Sequence, residues 1–193
     1  MMKISNFFYR VNKYMNNLKV FINRIDDFFS KKLYSTKKNL FLDILSKIGN
    51  FFSIAFFLII MFALPFYLTK KIALISFISL FYSTLIVFIL KYLIKRQRIY
   101  NDNDFKSILD PYSFPSGHIS RLSSLIFPSL YILPLFFIFI ILPFIVAILR
   151  IRRGYHYFTD CVVGYLIGFV CGIVGIFTFK YCIFLEKMLL IFH

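Results

Sequence analysis

Long uncharged runs, separated by short polar stretches, make up most of the chain from residue 51 onward. They cover Phe51–Thr69, Ile72–Leu90, Leu122–Leu149 and Cys161–Phe179. A helix needs about 18–20 apolar residues to cross the hydrocarbon core of a bilayer, and each run is near or above that length. The pattern therefore predicts an integral membrane protein built from transmembrane helices.

The first two runs predict two helices followed by a polar loop. Span A is expected at about Asn50–Thr69 and span B at about Ile72–Ile94, with a turn at Lys70-Lys71 between them. The loop, residues 95–116, contains charged residues, amides and a proline, so we expect it in water or among lipid headgroups.

The third run is too long for one straight crossing. As a single helix it would extend about 42 Å, whereas the hydrocarbon core is about 30 Å thick. Prolines interrupt it, and we favour two helices that reverse near Ile132–Leu135, with Pro134 opening the second helix. The first helix of the pair would begin at about Ser116.

The last span is predicted from about Phe158 to beyond Phe179, and it contains a stripe of glycines. Gly164, Gly168 and Gly172 recur at every fourth residue. Such a stripe lets another helix approach closely. We interpret it as packing within one chain, while the sequence leaves a homo-oligomer open.

Together these elements predict an all-α, polytopic membrane bundle of about five spans, in a domain covering residues 50–190. Residues 1–49 form a basic, amphipathic N-terminal segment. This segment either lies in the headgroup plane against anionic lipid, or packs on the bundle, or is a partly disordered tail. The chain is expected to be a multi-pass protein of a membrane such as the endoplasmic reticulum or the bacterial inner membrane.

Composition narrows the function classes. Hydrophobic residues make up 60% of the 193 residues and the mean hydropathy is +0.80, which is too apolar for a soluble globule of this size. A net charge of +15 suggests nucleic-acid binding in a soluble protein. Here we interpret the charge as contact with anionic lipid and as a topology signal. That signal favours a site that faces the cytoplasm, while the sequence leaves a site that faces the lumen or the exterior open. The expected partners are therefore the bilayer and a lipid, with no nucleic acid.

Side chains capable of chemistry collect at the ends of the predicted spans. If the third run crosses twice, all of them come to the same side of the membrane. Polar groups that are costly beside lipid would then form one site. Its members are Lys91, Lys95, Arg96, Arg98, Ser116, Gly117, His118, Arg150, His156 and Asp160.

This combination suits the chemistry of phosphate esters. Cationic side chains stabilise charge on the phosphoryl oxygens, and N–H groups at a helix start near Gly117 add further donors. A neutral imidazole attacks phosphorus and carries the phosphoryl group, while a second imidazole protonates the leaving oxygen. Asp160 lies four residues after His156, and we expect it to orient that ring through its other nitrogen.

Three spacings resemble the motifs of the type 2 phosphatidic acid phosphatase superfamily, whose fold is shared with vanadium haloperoxidases. They are Lys91-x6-Arg98, Pro115-Ser116-Gly117-His118 and Arg150-x5-His156-x3-Asp160. The resemblance implies a six-helix core and a metal-independent lipid phosphatase that uses no cofactor and forms a phosphohistidine intermediate. It implies His156 as the nucleophile, Asp160 as its orienting partner and His118 as the general acid. The implied phosphate-binding residues are Lys91, Arg98, Ser116, Gly117 and Arg150.

Two positions depart from the superfamily pattern. Ile99 follows Arg98 where proline is usual, and Leu149 precedes Arg150 where serine is usual. Neither change removes a group expected to touch phosphate, so the departures bear on positioning and rate. The loop carboxylates are interpreted as turn and solvation residues rather than as a metal site; they are Asp102, Asp104 and Asp110.

A finer resemblance is to polyisoprenoid (presqualene-type) diphosphate phosphatases. It is carried by Tyr112–His118 followed by Arg121, and by Gly154-x-His156-x-x-Thr159-Asp160. It implies prenyl diphosphates or monophosphates as substrates. The alternatives are phosphatidate, phosphatidylglycerophosphate or undecaprenyl diphosphate at the same site, or a non-catalytic lipid-binding membrane protein. Further arginines would either hold a second phosphate or serve in headgroup contact and membrane orientation; they are Arg96, Arg121, Arg152 and Arg153.

Overall fold

The computed structural model describes residues 17, 20–30, 32–35, 40–99 and 112–191, and the regular structure over these ranges is helical. The predicted all-α membrane fold is confirmed. The long helices α4, α6 and α7 are apolar enough to cross a bilayer, and α3 is a shorter apolar helix, so the count of about five spans stays a prediction. The helices are α1 (residues 20–30), α2 (Leu40–Ser46), α3 (Phe51–Ala63), α4 (Tyr67–Ile94), α5 (Gly117–Ser124), α6 (Leu133–Arg152) and α7 (Phe158–Ile191), with a 3-10 turn at Pro128–Tyr131.

The boundary between α3 and α4 differs from the predicted one. The chain reverses at residues 64–66, so Thr69 and Lys70-Lys71 lie inside α4. The predicted turn was wrong because Pro65, which has no N–H for a helix, sets the break. Lys71 places its ammonium group 4.5 Å from the centre of the Tyr131 ring, so a charge near the helix start is accommodated without a turn.

The reversal predicted in the middle of the third run is confirmed. After α5 and the 3-10 turn, the backbone of Ile132 is extended, with φ −133° and ψ 99°. α6 then starts at Leu133 with Pro134 in its first turn, where proline fits because no intrahelical acceptor is available to an N–H. The reversal returns the end of α6 to the end of the bundle where α5 begins.

α5 lies at the centre of the bundle, packed by α4, α6 and α7. The glycine stripe of α7 faces it. A Cβ added to Gly164 would lie 2.6 Å from the carbonyl oxygen of Ser116, and one on Gly168 would lie 2.0 Å from that of Ser120. The stripe therefore packs within the chain, as predicted, and it sets how closely the start of α5 approaches the start of α7.

The N-terminal segment packs on the bundle where the structure describes it. The Phe29 ring of α1 stacks on Phe158, with the ring centroids 4.2 Å apart, and Asp26 is 1% exposed. The backbone N–H of Ser35 donates to the carbonyl of Arg152 at 3.0 Å. Of the possibilities left open for residues 1–49, packing on the bundle applies to α1; residues 1–16 lie outside the described ranges.

Candidate active site

Residues 112–116 connect the polar motifs through backbone hydrogen bonds. The N–H of Ser113 donates to the carbonyl of Arg96 at 2.9 Å, and the N–H of Ser116 donates to the carbonyl of Asp160 at 3.0 Å. The segment that follows α4 and the start of α7 are thus held on either side of this short stretch. The residues predicted to share one side of the membrane lie at one end of the bundle.

His156 is fully buried in the turn between α6 and α7. Gly154, with φ 69°, allows that turn. The Nδ1 atom of His156 lies 2.8 Å from the carbonyl oxygen of Ser113. Because a carbonyl oxygen only accepts, Nδ1 carries the proton and Nε2 carries a lone pair. Nε2 faces Arg150 Nη2 at 3.5 Å, so the lone pair points toward a guanidinium group suited to hold phosphate.

The electrostatic surroundings keep His156 neutral. Burial, followed by the positive charges of Arg150, Lys91 and Arg98 and by the ring of His118, lowers its pKa well below the ordinary value of 6.5. Only the neutral imidazole is a nucleophile, so these groups favour the reactive form at pH 7. Because such interactions require proximity, the predicted cations and the second imidazole lie near His156.

Asp160 does not orient His156 in the way that the sequence predicts. Its Oδ2 lies 3.9 Å from His156 Nδ1, beyond hydrogen-bonding distance, and accepts from the N–H of Tyr157 at 2.9 Å. The helix begins only at Phe158, so His156 precedes it and the i, i+4 geometry of a helical face does not apply. The carbonyl of Ser113 accepts from the ring instead, and Asp160 holds the backbone of Tyr157, the residue next to His156.

The second imidazole lies at the start of α5, next to Ser116. His118 is 5% exposed, and its Nε2 is hydrogen-bonded to Asn50 Oδ1. Over the part of the chain that the structure describes, His118 Nδ1 and Ser116 Oγ have no hydrogen-bond partner, although both atoms are buried. Since buried polar atoms normally have partners, these two are suited to contact a bound anion.

Cationic side chains surround the two rings. Lys91 is 4% exposed and Arg150 is 2% exposed, and Lys91 Nζ donates to the carbonyl of Tyr112 at 2.6 Å. Guanidinium and ammonium groups gathered in this way match the oxygens of a phosphate group. The cations whose charges act on the His118 ring are Arg150, Arg121, Lys91 and Arg98.

The start of α5 adds backbone donors. The N–H of Ser116 is taken by Asp160, but the N–H groups of Gly117 and His118 stand in the first turn, where the helix offers no acceptor. A Cβ added to Gly117 would lie 3.2 Å from Arg121 Nη1. Glycine therefore leaves room for a guanidinium group beside the helix start, and Arg121, predicted as an accessory residue, occupies that room.

Arg96 belongs to a separate arrangement, here called the Arg96 cluster, formed by Asp26, Arg96, Thr159 and Asp160. Its Nη2 lies 2.5 Å from Asp26 Oδ2, and its Nη1 lies 2.8 Å from Asp160 Oδ1. The guanidinium carbon lies 3.7 Å from the centre of the Tyr157 ring. Burial opposes the charge, but the carboxylates of Asp160 and Asp26 raise the pKa of Arg96 above its ordinary value. The prediction that Arg96 is available to a second phosphate was therefore wrong.

Two residues of the N-terminal part of the chain, Asp26 and Asn50, make polar contacts near the site that the sequence did not predict. The carboxylate of Asp26 accepts two hydrogen bonds from Thr159, one from its backbone N–H at 2.9 Å and one from its hydroxyl group at 2.7 Å. Asp26 therefore caps the start of α7 although it belongs to another helix. Asn50 reaches His118. These contacts join residues 133 and 68 positions apart, and no local pattern reveals them.

The sequence predicts a phosphatase that needs no metal ion, and the structure describes only some of the acidic residues that bear on this prediction. Over the described ranges, no group of histidine, cysteine, aspartate or glutamate side chains is arranged to hold a metal ion. The loop carboxylates that were interpreted as turn residues lie outside those ranges; they are Asp102, Asp104 and Asp110.

Two solved structures resemble this fold. The crystal structure of Aquifex aeolicus LpxE has a TM-score of 0.62 and 21% sequence identity, and the match covers 76% of this chain and 92% of that one. The transmembrane PAP2 type phosphatidylglycerolphosphate phosphatase from Bacillus subtilis has a TM-score of 0.66 and 20% identity, covering 83% of this chain and 87% of that one. At these identities the likeness shows the fold.

Residues 72–183, more than half of the chain, match the PAP2 superfamily. This stretch contains the three motifs, from Lys91 to Asp160, whereas Asp26 and Asn50 lie outside it. The chain belongs to the PAP2 superfamily and is a membrane lipid phosphatase, as its motifs predicted.

Proposed function

We propose that this protein hydrolyses the phosphate ester of a prenyl lipid, a diphosphate or a monophosphate, through a phosphohistidine formed on His156. The observation that carries the proposal is the direction of the His156 ring. Its Nδ1–H is fixed by the carbonyl of Ser113, and its Nε2 lone pair faces Arg150 in a cationic pocket. This is the arrangement that an attack on phosphorus requires.

The first half of the reaction transfers the phosphoryl group to the enzyme. Nε2 of His156 forms a bond to phosphorus while the bond from phosphorus to the leaving oxygen breaks. A proton from His118 goes to that oxygen, which belongs to the prenyl alcohol of a monophosphate or to the remaining phosphate of a diphosphate. The cations around the rings stabilise the charge on the three transferred oxygens.

The second half returns the enzyme to its starting form. Water attacks the phosphorus atom, His118 takes a proton from it, and the bond between phosphorus and His156 breaks to release inorganic phosphate. Asp160 remains ionised in this scheme. Its Oδ2, 3.9 Å from His156 Nδ1, favours the positive charge that the ring bears while phosphorylated.

The prenyl assignment is supported by the sequence of residues 112–118 and by Arg121. With Arg96 held in its cluster, Arg121, which lies beside Gly117 at the helix start, is the accessory cation that would hold a second phosphate. An extended prenyl chain would remain in the bilayer, while its charged head enters the pocket between the helix ends.

A second candidate substrate is phosphatidylglycerophosphate. It is favoured by the fold likeness to the Bacillus subtilis protein, which is a phosphatidylglycerolphosphate phosphatase. Phosphatidate and undecaprenyl diphosphate suit the same chemistry. A lipid-binding protein without turnover is the remaining alternative, and the complete set of nucleophile, acid and cations argues against it.

The test is a substrate panel on purified protein in EDTA, with phosphate release measured for each lipid. We expect the highest kcat/KM on prenyl diphosphate or monophosphate, and loss of turnover in His156→Ala and His118→Ala. His193→Ala is the matched control, because it removes the third histidine, which belongs to none of the motifs. Preference for phosphatidylglycerophosphate would replace the prenyl assignment, and full activity in His156→Ala would overturn the mechanism.

A further inference from the structure

The junction between α2 and α3 touches the start of α5 at two consecutive residues. Asn50 Oδ1 is hydrogen-bonded to His118 Nε2, and the carbonyl of Gly49 accepts from Arg121 Nε at 3.1 Å. His118 and Arg121 are three residues apart in α5 and therefore lie on one face of the helix. The junction thus contacts the candidate acid and the accessory cation together.

The contact between Asn50 and His118 depends on the close approach of the backbone at Gly49 to the backbone at His118. A Cβ added to Gly49 would lie 2.8 Å from His118 Cβ and 2.9 Å from the carbonyl oxygen of His118. Real Cβ atoms essentially never come this close to such atoms, so a larger residue would push the junction away from α5. Gly49 therefore allows Asn50 to reach the imidazole.

The contact with Asn50 gives the two ring nitrogens of His118 different roles. With Nε2 committed to Asn50, the nitrogen left for the substrate is Nδ1, a buried atom without a hydrogen-bond partner among the described residues. The side chains whose charges act most strongly on this ring are cationic, and they come from α4, α5, α6 and the segment after α4. Such surroundings oppose a protonated imidazole, so an acceptor on Nε2 is needed to favour it.

We infer that Asn50 is a positioning residue for the general acid: its Oδ1 accepts Nε2–H of His118, so that Nδ1–H points to the leaving oxygen. When the proton leaves Nδ1, the neutral ring keeps its Nε2–H on Asn50. The same Nδ1 then takes the proton from water in the second half of the reaction. One nitrogen thereby serves both steps without rotation of the ring.

This inference rests on the proposed function and adds a residue to it from outside the matched superfamily region. Asn50 precedes residue 72, where that region begins. Its role is to act through His118, so its removal has to weaken acid catalysis without removing phosphate binding. The leaving group is the variable that separates these effects, because a good leaving group departs without a proton.

The experiment compares kcat/KM of Asn50→Ala on a lipid phosphate and on p-nitrophenyl phosphate. The lipid alkoxide needs the proton, so its kcat/KM is expected to fall about 10–100-fold, while that of the aryl phosphate changes less than about threefold. The fall stays at or below the about 10²–10⁴-fold that general acid catalysis contributes, because His118 itself is still present. Asn23→Ala, an exposed asparagine on α1, is the matched control and should leave both values unchanged. An equal fall on both substrates would overturn the inference.

Two further variants define the interaction. In a His118→Ala background, Asn50→Ala should have no additional effect, because the group that it positions is gone; a further loss of similar size would contradict the role. Asn50→Asp only accepts hydrogen bonds, so it should retain much more kcat/KM on the lipid than Asn50→Ala does. Activity at the alanine level in Asn50→Asp would mean that the amide nitrogen faces the ring, which overturns the assignment.

A readout without turnover separates this inference from the proposed substrate. Ring ¹⁵N NMR of the wild type should show the His118 tautomer with Nε2 protonated, and Asn50→Ala should change that signal. The three histidines of the chain make the assignment tractable. If no lipid in the panel is hydrolysed but the tautomer depends on Asn50, the proposed function fails while the positioning role stands. A wild-type ring protonated on Nδ1 alone would reject the positioning role whatever the substrate.

Discussion

Two buried polar clusters lie at the same end of the bundle and use their charges in opposite ways. In the Arg96 cluster, one guanidinium group contacts two carboxylates, at 2.5 and 2.8 Å. In the histidine pocket, the rings and Lys91 are held by neutral acceptors, the carbonyls of Ser113 and Tyr112 and the side chain of Asn50. The histidine pocket is defined here as Lys91, Arg98, His118, Arg150 and His156.

This difference in hydrogen-bond acceptors suggests a structural role for the Arg96 cluster and a chemical role for the histidine pocket. A carboxylate cancels the charge of the group that it contacts, which stabilises an arrangement but leaves little field for a ligand. A carbonyl fixes the direction of a side chain and leaves the positive field in place. The pKa of Arg96 is accordingly raised, whereas burial and neighbouring cations lower that of His156. The Arg96 cluster should therefore govern stability, and the histidine pocket should govern turnover.

The largest expected effect is the loss of turnover in His156→Ala. Removing a nucleophile from an enzyme that forms a covalent intermediate costs at least about 10⁴-fold in kcat. Phosphate release from the preferred lipid measures it, and the thermal midpoint in detergent checks that the variant is folded. If the variant retained a tenth of the wild-type rate, the pocket would not act through this ring.

The next effect is on stability and belongs to the Arg96 cluster. Asp26→Ala leaves the N–H and Oγ1 of Thr159 without their acceptor and removes one partner of Arg96. Breaking a buried ion pair costs about 3–5 kcal/mol, and we expect about 3 kcal/mol because the Arg96 side chain is 22% exposed. Asp27→Ala is the matched control, since the neighbouring carboxylate is exposed and its removal should change stability by less than about 0.5 kcal/mol.

Both values come from the denaturation midpoint of detergent-solubilised protein. The same preparations, assayed well below the midpoint, should show that Asp26→Ala keeps kcat within about tenfold of the wild type, in contrast to the about 10⁴-fold or larger loss in a nucleophile variant. An Asp26→Ala protein that is as stable as Asp27→Ala but inactive would contradict the proposal that the Arg96 cluster governs stability and the histidine pocket governs turnover.

The histidine pocket was the more predictable of the two, because its members stand in short motifs at helix ends. The reversal at Pro134 follows from the length of the run and from proline chemistry, and that reversal brings Arg150 and His156 to the start of α5. The orienting role of Asp160 was misjudged, since the helix starts two residues after His156. A one-turn spacing is informative only when both residues are helical.

The Arg96 cluster was less predictable, because its partners are far apart in sequence. Asp26 lies in the basic N-terminal segment, where a single carboxylate resembles a solvated surface residue. The contact that buries it involves Thr159, and nothing in the periodicity of α1 specifies that partner. The turn between α3 and α4 was missed for a different reason: two lysines suggested a loop, but Pro65 determines where the helix ends.

A smaller effect is the stabilisation of the folded protein by orthovanadate, which resembles the phosphoryl group in transfer. A ligand that binds only the folded state stabilises it by about 2.7 kcal/mol at a hundred times its dissociation constant. The wild type and Asp26→Ala should both show a rise in thermal midpoint of comparable size, since the pocket is intact in each. His156→Ala should show little rise. An equal rise in all three proteins would mean that vanadate binds elsewhere.

The smallest effect is on the titration of His156, whose pKa reports the positive electrostatic field in the histidine pocket. Because burial and nearby cations lower the pKa of this ring below 6.5, it stays neutral in the folded protein as the pH falls through 6.5, while the unfolded chain takes up a proton there. Its contribution to stability is therefore present above about pH 6.5 and decreases as the pH falls toward the lower pKa of the folded state.

Ring NMR measures the pKa of His156, with His118→Ala and His193→Ala assigning the signals. In Asp26→Ala the depressed value should persist, since the cations with the largest effect on His156, which are Arg150, Lys91 and Arg98, lie outside the Arg96 cluster. A His156 ring that titrates at 6.5 in the wild type would mean that the pocket lacks the positive field on which its distinction from the Arg96 cluster depends.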